Sequence, residues 1–322
     1  MQARHLLGSL ALAVAISSPS AQAGSYPERP IRLLVGYSPA GAADTIGRFV
    51  ADALSKQLGQ SIVVENRPGA GSTLASAELA RAPADGYTLG LGTGTLFGMD
   101  QYLYKVGYTP SDFTPIMRLT ISPLLLAVNK NLGVNSVDDL IAKIKSNPGK
   151  LNYSSSGMGG SPHMAALIFQ DTIGGDMVHV PYKGGSPALQ AVAAGEVDLS
   201  FGTAPSVLPM AQADKVKVLA VSTLEPSDAA PGIPPLAQQG LPGFDFTFWF
   251  GLFGPAGLPS DVQARLSKAT TEVLNDPALK EKLLVTGNIA APMESSQAFA
   301  EWAQQNGDFV LQRAKKAHVK RE

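Results

Sequence analysis

The sequence contains no cysteine. Disulfides, thiolate metal sites and a lipid-anchored cysteine are therefore not expected. Stability has to come from an apolar core, and 322 residues are enough to build one. Charge is scarce too: 16% of residues are Asp, Glu, Lys or Arg, and the formal net charge is −1. A nucleic-acid binder shows a basic face, which this balance does not supply. There is no P-loop, no complete G-x-G-x-x-G and no H-E-x-x-H, so no nucleotide, metal or other cofactor is expected. No apolar run beyond the first residues approaches the length of a membrane span.

What is plentiful is glycine (33) and proline (24), which suits many short connections between strands and helices. The first residues read as a cleavable signal peptide. Arg4 and His5 form a basic start, Leu6 to Ile16 is apolar but too short to cross a bilayer, and Ala21-Gln22-Ala23 fits the small-x-small cleavage rule. The folded chain is then expected to begin near Gly24.

The stretch from Asn152 to Gly202 reads as strand, glycine-rich loop, helix, strand, loop, helix, strand. The first loop spans Ser154 to Ser161. Ser161 suits a helix N-cap and Pro162 the first helical position. Ser186 and Pro187 repeat that pair after Tyr182-Lys183-Gly184-Gly185. A loop that feeds a helix start presents free backbone N–H groups and the positive end of the helix dipole, which together attract anions. Such turns also serve many α/β proteins as plain connections.

The N-terminal half repeats the theme. Pro30 to Gly36 reads as a strand, and Tyr37 to Thr45 as a loop opening a helix that buries Ile46, Phe49, Val50, Ala53 and Leu54. Asp44 in its first turn fits either a helix-terminus charge or a ligand contact. Ser61 to Glu65 is the next strand, followed by Asn66-Arg67-Pro68-Gly69-Ala70-Gly71-Ser72 and a helix over Thr73 to Ala80. Tyr87 to Leu91 is a third strand, ending in Gly92-Thr93-Gly94-Thr95. In an open parallel sheet these loops gather at the carboxyl ends of the strands, where ligands bind.

Two strands, Ile116 to Thr120 and Leu124 to Asn129, flank Ser122-Pro123, which is the expected first crossing between domains. Val216 to Ser222 is a strand leading back. The aromatic run Phe244 to Phe253 fits either a flank of the cleft or the core, with core the safer reading, and helices follow near Ser260, Pro277 and Ser295. The basic end, Lys315 to Arg321, reads as a solvated helix terminus. The expected division is residues 24–122 with 223–322, and residues 123–222.

Eight segments in register resemble one family. They include Pro39-Ala40-Gly41-Ala42-Ala43-Asp44, Glu65-Asn66-Arg67-Pro68-Gly69-Ala70-Gly71, Gly160-Ser161-Pro162-His163 and His179-Val180-Pro181-Tyr182-Lys183-Gly184. Ala84 to Thr88, Gly195 to Asp198, Gly254 to Pro259 and the Pro30-Ile31-Arg32 start complete the set. The chain resembles the Bug family of periplasmic solute-binding proteins, receptors of tripartite tricarboxylate transporters.

That resemblance implies a two-domain α/β Venus-flytrap fold, with the ligand between βα sheets, and a soluble monomer in the periplasm. The implied ligand is a small di- or tricarboxylate, an aromatic acid or a related amide, held by backbone amides, hydroxyls and bridging waters. The partners implied are membrane transporter subunits or, without transport, a sensor protein. The positions carried over are Tyr37, Pro39, Ala40, Gly41, Asp44 and Thr45 in the first loop. Gly69, Gly71 and Ser72 follow in the second loop, with Thr93 after the third strand. The later set is Ser154, Ser156, Gly160, Ser161 and His163, then Tyr182, Lys183 and Gly184. Asp198 and Phe201 to Thr203 are expected near the cleft floor.

Ala40 and Ser72 stand where the family more usually has glycine. Ser72 suits either a ligand contact or a helix cap. The rival class is a secreted hydrolase using Ser156 and His163. No G-x-S-x-G supports it, and His163 just inside a helix start suits a hydrogen-bonding or packed imidazole as well.

Overall fold

The computed structural model describes residues 26–39, 41–182 and 184–319. The expected signal peptide, Ala40 and Lys183 lie outside the described residues. The chain opens with β1 (Ile31–Val35), α1 (Ala42–Leu58), β2 (Ile62–Asn66), α2 (Thr73–Ala80), β3 (Thr88–Thr93) and α3 (Met99–Leu103). β1 pairs in parallel with β2 and β3. The helical spacing in α1 buries Ile46, Val50, Leu54 and Leu58 against β1. Each such side chain contributes about 1.5–3 kcal/mol, so this face, rather than its polar side, seats the helix.

β4 (Phe113–Asn129) is one continuous strand of 17 residues, where the sequence predicts two. Its first part, Phe113 to Pro123, pairs with β9 (Thr247–Pro255). Its second part, Leu124 to Asn129, pairs with β7 (Leu199–Thr203) and β8 (Val216–Val221). Proline cannot donate to a ladder. Pro123 sits where one neighbour gives way to the others, so its missing donor falls at the seam and the strand need not end.

Beyond β4 come α4 (Val137–Ser146), β5 (Asn152–Ser155), α5 (Ser161–Ile173), β6 (Val178–Pro181) and α6 (Gly185–Ala194). β7, α7 (Ala204–Gln212), β8 and β9 follow, then α8 (Ser260–Asn275), α9 (Pro277–Val285), β10 (Ile289–Ala290) and α10 (Ser296–Lys316). β5 pairs in parallel with β6 and β7. The path through the mixed sheet is β2-β1-β3-β9-β4-β7-β5-β6, with β8 and β10 also on β4.

Most of the aromatic run is core, but Phe248 lines the cavity described below. Trp249, Phe250 and Phe253 are buried, and the Trp249 ring meets Phe299 of α10 edge-on at 5.6 Å. α10 also reaches the far side: Ala314 shares a core with Met164 and Phe169 of α5, and Lys316 pairs with Asp171 there. Its last turn holds Arg313, Lys315 and Lys316, complementing the dipole as the sequence suggests.

At the β4 seam one side chain joins three segments. Ser222 Oγ accepts from the Leu124 amide at 2.9 Å and donates to the Phe246 carbonyl at 2.6 Å, and Ser222 is fully buried. Ser222→Ala removes both bonds in a place water cannot refill, at a cost of about 1–3 kcal/mol. We expect scanning calorimetry to show a melting temperature several degrees lower. An unchanged transition would show that the seam does not depend on this hydroxyl.

Candidate functional site

The loops that follow β1, β2, β3, β5, β6 and β7 converge on one cavity of about 550 Å³. Tyr37, Gly71, Thr95, Asp100 and Tyr104 line it from the β1–β3 side. The Ser156 to Pro162 loop, Gly185, Ser186 and the Phe201 to Thr203 strand end line it from the β5–β7 side, and Leu124 and Phe248 lie at the seam. This is the carboxyl-end position expected for ligands in α/β sheets. Of the residues singled out from sequence, Tyr37, Gly71, Ser156, Gly160, Ser161 and Thr203 come together here.

Two of the helix starts on the β5–β7 side differ from the expected caps. α5 is capped by Gly160, with Ser161 already its first helical residue, and α6 by Gly184, with Ser186 second. Neither has a side-chain cap. Gly184 has φ 127°, which favours glycine and ends the loop before the serine is reached. The consequence favours the anion reading: no serine hydroxyl occupies the first-turn amides, and the dipole's positive end faces the cavity rim.

The opposite wall is built from hydroxyls and one carboxylate. Burial pushes the Tyr37 phenol up, while hydrogen bonds with Ser72 and Thr93 oppose that shift. Ser72 thus stands behind Tyr37; it occupies the N-cap of α2 without a side-chain cap bond. Thr93 Oγ1 lies 3.0 Å from Thr95 Oγ1. Asp100 is 1% exposed, and its Oδ2 accepts from the Tyr108 hydroxyl at 2.7 Å. Burial raises its carboxyl from the ordinary value, against hydrogen bonds from Tyr108 and Thr95. Asp100, Thr95 and Tyr104 were not singled out. For them only the Gly92 to Thr95 strand end gave a hint, because α3 itself carries no motif. At Gly71 the backbone has φ 64°, and an added Cβ would come within 2.7 Å of the Tyr104 hydroxyl.

Several expected residues do other work. Pro39 and Gly41 lie on the exposed approach to α1, and Thr45 continues that helix through its amide bond to the Gly41 carbonyl. Gly69 precedes the lining Gly71 without lining the cavity itself. Asp44 is buried and faces Arg48, at 2.9 Å, and the Asn66 amide, also at 2.9 Å. Asn66 in turn donates to the Tyr37 carbonyl. Ser154 is buried and donates to the Ala188 carbonyl. Tyr182 packs on the core of α6, α7 and β8, and Gly184 caps α6. Asp198 is not at the cleft floor. It accepts from the Asn152 amide at 2.8 Å, at the starts of β5 and β7, whereas the cavity opens at their ends.

His163 does not line the cavity either. Its Nδ1 accepts from the Gly159 amide at 2.9 Å, so it props the loop from behind. Its ring stacks on His179 at 3.9 Å, and His179 Nε2 lies 2.7 Å from Ser155 Oγ. Burial, with the neighbouring imidazole, lowers His163 to about 3, and burial lowers His179 to about 4. Among the described residues no group of three or more His, Cys, Asp or Glu gathers to hold a metal ion.

The lowered histidines make stability depend on pH. Below the ordinary value of 6.5 the unfolded chain binds protons that the folded rings refuse. Their stabilisation is therefore complete above pH 6.5 and is lost as pH falls towards about 4 and 3. His163→Gln keeps an acceptor for the Gly159 amide but does not titrate. Its melting temperature should fall less steeply than wild type between pH 6.5 and about 4; parallel curves would contradict this account. Asp44→Asn tests the other reassignment. We expect a lower melting temperature with ligand affinity changed less than about threefold, since the pair with Arg48 is lost but no cavity wall. A large affinity loss at unchanged melting temperature would return Asp44 to the ligand site.

Residues 46–316 match the family described as tripartite tricarboxylate transporter family receptor. A Pseudomonas sp. (strain P51) protein, the UPF0065 protein in the tcbD-tcbE intergenic region, is 34% identical over 288 residues, covering 88% of this chain and 85% of that one. Among solved structures, Rpa4515 of R. palustris with adipate superposes with a TM-score of 0.78 at 31% identity, covering 92% of this chain and 100% of that one. MatC (Rpa3494) from Rhodopseudomonas palustris, with bound malate, has a TM-score of 0.73 at 30% identity, covering 89% and 99%. The expected α/β solute-binding fold is thus the observed one. A family match over most of the chain, with similar structures over nearly its whole length, places it: the chain belongs to the tripartite tricarboxylate transporter receptor family.

Proposed function

We propose that this receptor encloses a small organic acid in the cavity between its two sides and presents it to membrane transporter subunits. The observation that carries the reading is the pair of uncapped helix starts, α5 and α6, on a cavity with no Lys or Arg among the described lining residues. A carboxylate there is held by amides and dipole, without a cationic clamp. Structures similar to this chain hold adipate and malate, which supports the same ligand class. The Ser156 to Pro162 loop, Gly185 and Ser186 are proposed to close on the ligand together with Tyr37.

The chain is proposed to act as an exported monomer after loss of residues 1–23, and as a binder rather than a catalyst. Against the hydrolase, the Gly159 amide already occupies His163 Nδ1, and the serine beside a histidine is Ser155, not Ser156. The proposed lobes are residues 24–122 with 223–322, and residues 123–222. Leu236, Leu241, Phe244 and Phe246 share a core with Leu124 and Phe201, which favours extending the second lobe to about Phe246. Ligand contacts from both lobes then favour the closed form, and only a difference in affinity between the two forms drives that shift.

The test is a melting screen of unfolded and refolded chain against dicarboxylates, tricarboxylates, aromatic acids and amides, followed by solution scattering. At a hundred times its dissociation constant a ligand adds about 2.7 kcal/mol, a clear upward shift. The radius of gyration should fall with the same compound. No shift from any acid would overturn the ligand class, and an unchanged radius for every tight binder would overturn closure.

A further inference from the structure

Asp100 is the sole carboxylate among the described residues that line the cavity, and no Lys, Arg or His stands among them. It reaches the cavity from the β1–β3 side on α3, whose Met99 and Leu103 share a core with Met164 of α5. The carboxylate is held in place: Tyr108 donates to Oδ2, Thr95 bonds to it, and Tyr108 is itself bonded to Ser76. An ionised carboxylate has about four acceptor sites, so two hydroxyl donors leave capacity for a donor arriving from the cavity. The wall opposite offers the reverse chemistry, amides and the positive ends of two helix dipoles.

A cavity so polarised does not treat the two ends of a ligand alike. A carboxylate at the α5 and α6 end meets donors. A second ionised carboxylate at the Asp100 end meets an anion that is itself only 1% exposed, and like charges repel more strongly there than in bulk water. An amide or ammonium in that position instead completes the acceptor set and is charge-assisted. Resting on the reading of this cavity as the ligand site, we propose that Asp100 selects ligands carrying one carboxylate and, at the other end, a hydrogen-bond donor: an amide or an ammonium group. This excludes simple dianions, a division within the organic-acid class that the family membership leaves open. Tyr37 and Thr95 then serve as hydroxyl contacts beside the donor group, and Leu103, Leu124 and Phe248 pack the apolar stem between the ends.

Matched sets of compounds test this by titration calorimetry on refolded protein. One set is succinate, succinamate and γ-aminobutyrate; the other is adipate, adipamate and ε-aminocaproate. Wild type should bind the amide or amino member of a set at least about tenfold more tightly than its diacid, the range of a charge-assisted hydrogen bond. Asp100→Asn keeps the shape and an acceptor for Tyr108, and should narrow or reverse that ranking in favour of the diacid. A diacid that binds only with uptake of a proton, read from buffers of different ionisation enthalpy, supports the same rule, because the proton supplies the donor. A dianion that binds without proton uptake, as tightly as its amide and equally well in both proteins, overturns it. If Asp100→Asn does not fold, the wild-type ranking and proton count decide alone. If no member binds to a wild-type chain with a native melting curve, the cavity reading fails and this inference with it.

Discussion

β4 is the constraint on which the rest of the architecture depends. It changes partners once, at Pro123, passing from β9 to β7 and β8. Because strand side chains alternate with period two, a slip of one residue would exchange the rows packed on its two faces. Leu124 to Val128 is buried at every position, so this part of the strand is covered on both faces. The hydroxyl of Ser222 ties the seam to the two segments that cross it there. Every loop that lines the cavity is placed, directly or through β9, β7 and β5, by the register of this one strand.

From that register follows the chemistry of the cavity. Parallel strands on both sides end at the same opening, so each βα connection delivers a helix start or a turn to it. After β5 and β6 the connection ends in glycine, which leaves the first-turn amides uncovered. On the β1–β3 side it ends in hydroxyls stacked behind one another, Ser72 and Thr93 behind Tyr37, with Tyr108 and Thr95 around Asp100. The two histidines belong to neither wall. They form a neutral stack under the Gly157 to Gly160 loop, where burial suppresses their charge and an amide bond fixes the loop above them.

Much of this is local and was legible. The 3.6-residue spacing in α1 and the glycine-rich turns marked α1, α2, α5 and α6 with their preceding strands, because periodicity and turn chemistry act over a few residues. Other assignments failed for equally physical reasons. Ser161 and Ser186 are good cap residues, yet the glycine before each takes the cap, since the cap is set by where the loop backbone turns helical. Ser122-Pro123 looked like a break, but proline ends a strand only where its amide is needed. Asp198 and Asn152 sit at the starts of neighbouring strands, and which end of a strand faces a cavity is not written in its residues.

By itself the sequence determined the fold class, the family and the loops from which a site would be made. Those rest on pattern: hydrophobic period, turn residues, and motifs in order along the chain. Only the tertiary structure decided which side chains on those loops reach the cavity. That choice depends on strand pairing between residues far apart, which set Asp44 against Asn66 and brought Asp100 to the wall. A short helix with no motif carries no signal of what it will face. Its carboxylate came to line the cavity because β3, β9 and β4 pair as they do.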